Sequence, residues 1–311
     1  MVIMNKTIKK SVVFVVMAFT FAITTINAQN RTTIVDEIVY INSQYDHNDD
    51  SPRNRRNNQP PRSKRNKPQK GLRRMTVDSV RLAPFKAMEY TIDGQKVRYR
   101  AAFTAPSSDA PIIVVYLHSK SGSGNDNLSQ MSNRGIYSIY DYLSENKINA
   151  LMLVPQCPSG RSWAGNYENE DSSMGYNRYE KVLIDSCMSA MGADKTRVFI
   201  FGASMGTSGV WHMINDYPGF FAAAFCASGA SRDCNPNSLL KTPVYSTIGS
   251  EEGERNKASF KSLIDWLNAN GGDAKFETLE GLNHPEACNK AFTPERIEWV
   301  LCHSKSQNQS K

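Results

Sequence analysis

Residues 197–209 read RVFIFGASMGTSG, and the fold of the chain turns on how that stretch is read. VFIFG is a short apolar run rich in β-branched and aromatic residues, as a buried strand is. The residues from Met205 onward read as a helix. Between the two stands Ser204, with Gly202 and Gly206 two positions to either side, in the pattern GxSxG. The pattern alone is common by chance, but between a buried strand and a helix it has the context that a sharp turn presenting a nucleophilic serine requires. In such a turn the serine backbone is strained and side chains at the glycine positions would clash. The hydroxyl then stands at a helix N-terminus, where backbone amides can hold a developing negative charge.

Working outward, the chain alternates strand-like and helix-like segments from about residue 85. FKAMEYTIDGQKVRYRAAFTAP reads as two strands around an Asp93-Gly94 turn, a strong hairpin signal. PIIVVYLHS is apolar without alternation, so it reads as a strand buried on both faces. A helix near 135–145, the strand NALMLVPQ and a helix near 179–191 lead to RVFIFG. After Ser204 come a helix ending near Tyr217, the strands AAAFCASG and PVYSTIG, and a helix with Phe260, Leu263, Ile264 and Leu267 on one face. AKFETLE and a helix from Pro294 close the pattern. This alternation predicts an α/β fold, a mainly parallel sheet with helices on both faces.

The ends of the chain read differently. Lys6, Lys9 and Lys10 precede SVVFVVMAFTFAI, and TTINA follows, the basic, apolar and small-residue regions of a signal peptide cleaved after Ala28. The apolar run, about 13 residues, falls short of the ~20 that span a bilayer. The mature protein is therefore expected to carry no membrane span and to be exported, to the periplasm or the medium. Residues 51–74 hold ten Lys/Arg and no acid within an Asn-, Pro- and Gln-rich setting, so 29–74 reads as a disordered basic arm, a spacer or a loose contact for an anionic surface. That arm and the three leader lysines more than account for the net charge of +7. The folded part, 75–311, is nearly neutral, and nothing in it calls for a nucleic-acid partner.

A nucleophilic serine needs a base, and there are five histidines. His47 lies in the arm, His303 in the C-terminal tail, and His212 two turns into the helix after Ser204. His118 ends an upstream strand. His284, in LEGLNHPEAC, follows the last strand-like segment and emerges at the strand ends where Ser204 emerges, so it is the expected base. The base needs a carboxylate to hold its tautomer. GSEEGE offers Glu251, Glu252 and Glu254, with Asp233 as a rival. The order Ser, acid, His is that of one fold among those that use such triads.

On these residues the sequence resembles the α/β-hydrolase family, in particular the secreted esterases that include feruloyl esterases, polyhydroxybutyrate depolymerase-like proteins and their prolyl-oligopeptidase-like relatives. The resemblance covers about 85–303 through VVYLHSKSGSGNDN, LMLVPQCPSGRSW, RVFIFGASMGTSGVW, FFAAAFCASGAS, PVYSTIGSEEGE and GLNHPEACNKAF. It implies the α/β-hydrolase fold, Ser204 as nucleophile, Glu252 as acid and His284 as base. The family usually has Asp at Glu252 and Gly at Ser119. An acyl-transfer intermediate needs two backbone donors, one of them the amide of Met205. The resemblance implies Lys120 for the other, with Ser119 as runner-up.

The implied activity is hydrolysis of carboxylic esters, with feruloyl or acetyl esters of plant polysaccharide as the first substrate reading. A polyester or a peptide is the alternative, and a non-catalytic carbohydrate- or surface-binding protein the different one. The stretch 159–177 contains Trp163, Tyr167 and Tyr176; Trp163 resembles an active-site tryptophan of the family and, with His118, is expected to face substrate. Neither a cofactor nor a metal is called for: no Cys/His ligand spacing and no second glycine-rich phosphate loop is found. The six cysteines permit disulfides in an exported chain, and Cys234 with Cys288 is the expected close pair.

Overall fold

The computed structural model describes residues 77–164, 175–229, 231 and 233–305. The expected signal peptide 1–28, the arm 29–74 and Tyr167 lie outside them. After a short helix α1 (Ser79–Leu82), β1 (Lys86–Ile92) and β2 (Gln95–Thr104) form an antiparallel hairpin. Asp93 and Gly94, both at positive φ, make its two-residue turn, and Ile92 pairs with Gln95. A turn with both central residues left-handed matches the twist of the strands it joins.

The remaining elements alternate: β3 (Ile112–Leu117), α2 (Arg134–Glu145), β4 (Ala150–Pro155), α3 (Asn177–Met191), β5 (Val198–Ala203), α4 (Met205–Asp216) and β6 (Ala223–Ala227). Then follow α5 (Pro236–Leu239), β7 (Val244–Gly249), α6 (Glu254–Ala269), β8 (Ala274–Leu279), α7 (His284–Lys290) and α8 (Pro294–Leu301). One eight-stranded sheet runs β1-β2-β4-β3-β5-β6-β7-β8, parallel from β4 onward, with β2 antiparallel to both its neighbours.

Every residue of β3, β4, β5 and β6 is buried, which explains why these strands read as unbroken apolar runs. Their side chains divide alternately between two cores. Ile113, Val115, Leu117, Val198 and Ile200 pack on one face with Trp163, Leu183 and Trp211. Val114, Tyr116, Phe199 and Phe201 pack on the other with Ile136, Phe292 and Ile297. Because β3 lies between β4 and β5, the direction of winding reverses there, and open α/β sheets offer their binding crevice at such a reversal. The carboxyl ends of β3 and β5 lead into His118 and Ser204.

Candidate active site

The turn at Ser204 has φ 56° and ψ −115°, a conformation that costs energy for any residue with a Cβ. Its N–H donates to the Ala227 carbonyl at 2.8 Å, and its carbonyl accepts from Thr207 N–H at 3.0 Å. The flanking glycines let two segments meet. A Cβ on Gly202 would lie 2.5 Å from the Gly206 carbonyl oxygen, and one on Gly206 would lie 1.9 Å from that of Leu117. The start of α4 therefore sits directly on the end of β3, bringing the Ser204–Met205 amides beside the loop that begins at His118.

His284 opens α7, held by a capping box in which Asn283 accepts from Glu286 N–H and the Glu286 side chain accepts from Asn283 N–H. Its Nε2 lies 2.8 Å from Ser204 Oγ. Its Nδ1 lies 2.8 Å from Glu252 Oε2. The other oxygen, Oε1, accepts the Gly249 N–H at 3.1 Å. The additional methylene of glutamate thus lets the carboxylate fold back on the end of β7 and still meet the imidazole. The His284 side chain is 43% exposed and that of Glu252 only 9%. Burial pushes the Glu252 carboxyl up, but hydrogen bonds from His284 and Gly249 outweigh it, and its pKa falls below the usual range. His284 moves the other way: the Cys288 sulfur, one turn along α7 and 3.9 Å from Nε2, contributes most, Glu252 next, and the imidazolium is favoured well above its ordinary pKa of 6.5.

The other candidate acids stand apart from this array. Glu251 is exposed, with its N–H on the Leu282 carbonyl. Glu254 pairs with Lys257 at the start of α6. Asp233 is exposed at positive φ. His303 contacts the Trp299 carbonyl and Asp273.

As the first residue of α4, Met205 presents one of the amides that a helix cannot satisfy internally. Across from it, Ser119 adopts φ −69° and ψ 169°, ordinary extended backbone, so a serine here carries no strain. Its N–H is bonded to Asn133 Oδ1 at 3.0 Å, so of the two amides expected for this loop that of Ser119 is already engaged.

Three expectations are corrected. His118 is fully buried and faces no substrate: its Nε2 accepts the Cys157 N–H at 2.9 Å, which leaves the proton on Nδ1 to donate to the Ser119 carbonyl at 2.6 Å. Burial lowers its pKa to about 4, against a smaller upward pull from the Ser119 bond, so it is neutral at ordinary pH. Trp163 is likewise 0% exposed. Its Nε1–H donates to the His118 carbonyl at 2.9 Å and its ring packs on His118 and Tyr176. It belongs to the core beneath the loop. The expected pairing of Cys234 with Cys288 fails for a topological reason: Cys234 packs into the core on one face of the sheet and Cys288 into that on the other. All six cysteines are free. The sequence does not reveal Asn133, the Gly249 amide, or that Cys288, expected beside Cys234, instead lies against His284. Each is a backbone bond or a through-space contact that no motif encodes.

Among the described residues, no group of three His, Cys, Asp or Glu side chains could hold a metal ion, and no helix is long and apolar enough to cross a membrane.

The sheet order and the strained serine after β5 are those of the α/β-hydrolase fold, and Ser204, His284 and Glu252 form one hydrogen-bonded array at its strand ends. No family model and no curated protein matches the sequence. Solved structures do match. A thermostable esterase superposes with a TM-score of 0.64 at 23% identity, over 72% of this chain and 64% of that one, so the chain spans somewhat under two thirds of that protein. An S-formylglutathione hydrolase from Staphylococcus aureus gives 0.52 at 18% identity, over 70% and 96% of the two chains. A feruloyl esterase module from Clostridium thermocellum, complexed with sinapinate, gives 0.51 at 14%, over 68% and 87%. At these identities the likeness is one of fold.

Proposed function

We propose that this chain is an exported serine esterase that cleaves carboxylic esters through an acyl-enzyme. The reading rests on one observation: Ser204 is held at a strained turn with Oγ 2.8 Å from His284 Nε2, whose Nδ1 is 2.8 Å from Glu252. In the proposed cycle His284 takes the Ser204 proton as Oγ bonds to the ester carbonyl carbon. The carbonyl oxygen, now negative, is held by the Met205 and Lys120 N–H groups. His284 then passes the proton to the departing alkoxide, which leaves as an alcohol, and the acyl group stays on Ser204. A water, deprotonated by His284, attacks the acyl carbon; the bond from that carbon to Ser204 Oγ breaks, His284 returns the proton to Oγ, and the acyl group leaves as a carboxylic acid. Glu252 keeps the imidazole proton on Nδ1 and stabilises the imidazolium without taking the proton.

For substrate, feruloyl or acetyl esters of plant polysaccharide remain the first reading, supported by the sequence resemblance and by the fold shared with a feruloyl esterase module. Since Trp163 is buried, no aromatic wall supports it. For the termini, the proposed organisation is a signal peptide 1–28, a basic arm 29–74 and a catalytic domain 75–311. N-terminal sequencing of the exported protein should begin at Gln29, and deleting 29–74 should leave turnover of a small soluble ester unchanged.

The deciding experiment pairs a fluorophosphonate probe with a hydrolysis panel of p-nitrophenyl acetate, methyl ferulate, hydroxybutyrate oligomers and peptide amides. Wild type should label, and Ser204→Ala should not. Ser204→Ala and His284→Ala should each lose at least ~1,000-fold in turnover while remaining folded. An unlabelled, inactive wild type that binds polysaccharide would favour a non-catalytic role instead.

A further inference from the structure

Asn133 stands at the N-cap of α2, where asparagine is favoured because its side-chain oxygen can accept a free N–H of the first turn. Other caps in this chain do so: Asp78 accepts from Val80, Asn235 from Asn237 and Asn283 from Glu286. Asn133 alone of these makes no bond to its own helix. It is buried, and its Oδ1 is turned out of the helix onto the Ser119 N–H, fourteen residues earlier, at 3.0 Å. A local preference set aside at a buried position marks a place where another requirement dominates.

The groups around Ser119 show what that requirement is. Its carbonyl accepts from His118 Nδ1 at 2.6 Å and from Gly122 N–H at 2.9 Å. The Lys120 carbonyl accepts from Ser123 N–H at 3.1 Å, and Gln156, buried at the end of β4, donates to the Gly122 carbonyl at 3.3 Å. His118 is itself fixed by the Cys157 N–H and the Trp163 indole. The peptide on each side of Ser119 is therefore tied down. Of the two adjacent amides, that of Ser119 is occupied by Asn133, while no hydrogen bond from the Lys120 N–H is found among the described residues.

Building on the esterase reading, we infer that Asn133 is a positioning residue of the oxyanion site: by occupying the Ser119 N–H it orients the next peptide and makes the Lys120 N–H the loop's donor to the tetrahedral intermediate. The role needs an acceptor at this point and nothing else from the side chain. Asn133→Leu keeps the volume and removes the acceptor, Asn133→Ala removes both, and Asn133→Asp restores an acceptor in the same place.

The test measures kcat and KM for p-nitrophenyl acetate, together with inhibition by a phenylboronic acid, whose serine adduct is tetrahedral and anionic like the intermediate. Asn133→Leu and Asn133→Ala should lower kcat about 10- to 100-fold, since removing an oxyanion donor outright costs ~100- to 1,000-fold and here the donor is only misdirected. KM should stay within about 2-fold, and boronate affinity should fall by the same factor as kcat, as expected of an interaction made only in the transition state. Asn133→Asp should recover most of both. Should Asn133→Leu fail to fold, Asn133→Ala, which adds no bulk, carries the same expectation. Wild-type kcat in either variant, loss of kcat without loss of boronate affinity, or an Asp variant as impaired as the Leu variant would overturn the assignment. A wild-type protein that hydrolyses no ester is a different failure, that of the esterase reading itself.

Discussion

Glu180 offers the sharpest test of the energetics. It lies in the first turn of α3 with no exposure, and neither carboxyl oxygen has a hydrogen-bond partner. Burial is the sole cause acting on it, and its pKa lies well above the ordinary value. An acid whose folded pKa exceeds its unfolded one keeps its proton longer in the folded state. Its effect on stability is nil below the unfolded pKa of about 4.3, then grows more unfavourable as pH rises towards the folded pKa. The slope is about 1.4 kcal/mol per pH unit throughout that window. Glu180→Gln abolishes the titration, but leaves a buried amide whose unpaired donors impose a constant cost of roughly 1–3 kcal/mol. The slope of the difference, not its size, is therefore diagnostic. Urea unfolding of both proteins from pH 4 upward should show the variant gaining on wild type by about 1.4 kcal/mol per unit above pH 4.5, or ~3–6 °C in melting temperature per unit for a domain of this size, until the folded pKa is reached and the gain levels off. A pH-independent difference, or a wild type that gains on the variant, would refute the reasoning.

At the reaction centre, Cys288→Ala should move the acidic limb of the kcat/KM profile to lower pH: only neutral His284 can act as base, and the sulfur is the largest contributor to its raised pKa. An unmoved limb would show that the sulfur contact does not act. Glu252→Gln should lower turnover at least ~100-fold and Glu251→Gln less than about 3-fold, because only Glu252 meets the imidazole; equal effects in a turnover assay would place the acid elsewhere. Gly206→Ala should destabilise by roughly 3 kcal/mol or more, since its Cβ would lie 1.9 Å from a backbone oxygen that cannot move without shifting β3. A melting temperature within a degree of wild type would contradict that.

The sheet was legible because its central strands are buried on both faces. Unbroken runs such as IIVVYL and ALMLVP admit few other readings, and the expected strands all appear in their expected places. The site was legible where chemistry constrains residue type at a strand end: Ser204, His284 and the cluster containing Glu252. It was illegible where a side chain's role depends on depth. Trp163 is expected to face substrate, yet its side chain is buried in the core, and nothing in the sequence around it encodes that depth. The cysteines failed for a related reason. Sequence places Cys234 and Cys288 at the same rim, but α7 returns on the face opposite to that against which Cys234 packs.

The two histidines at the strand ends carry this distinction to its limit. His118 follows β3 and His284 follows β8, and sequence gives both the same address. The chain has room to emerge after β8, where Gly281 and Asn283 turn it into the cap of α7, so His284 keeps one edge in solvent, as the proposed base must. After β3 the chain is overlaid at once by the start of α4 and by Trp163, so His118 loses its solvent and its pKa drops to about 4. A histidine in that state has a fixed tautomer and serves as a neutral bridge between the Cys157 amide and the Ser119 carbonyl. Because His284 is protonated at far higher pH than His118, acid removes the base before it disturbs the loop. On the proposed mechanism, a pH–rate profile should therefore follow His284 and the Glu252 and Cys288 groups that set its pKa, while His118 stays neutral over the same range.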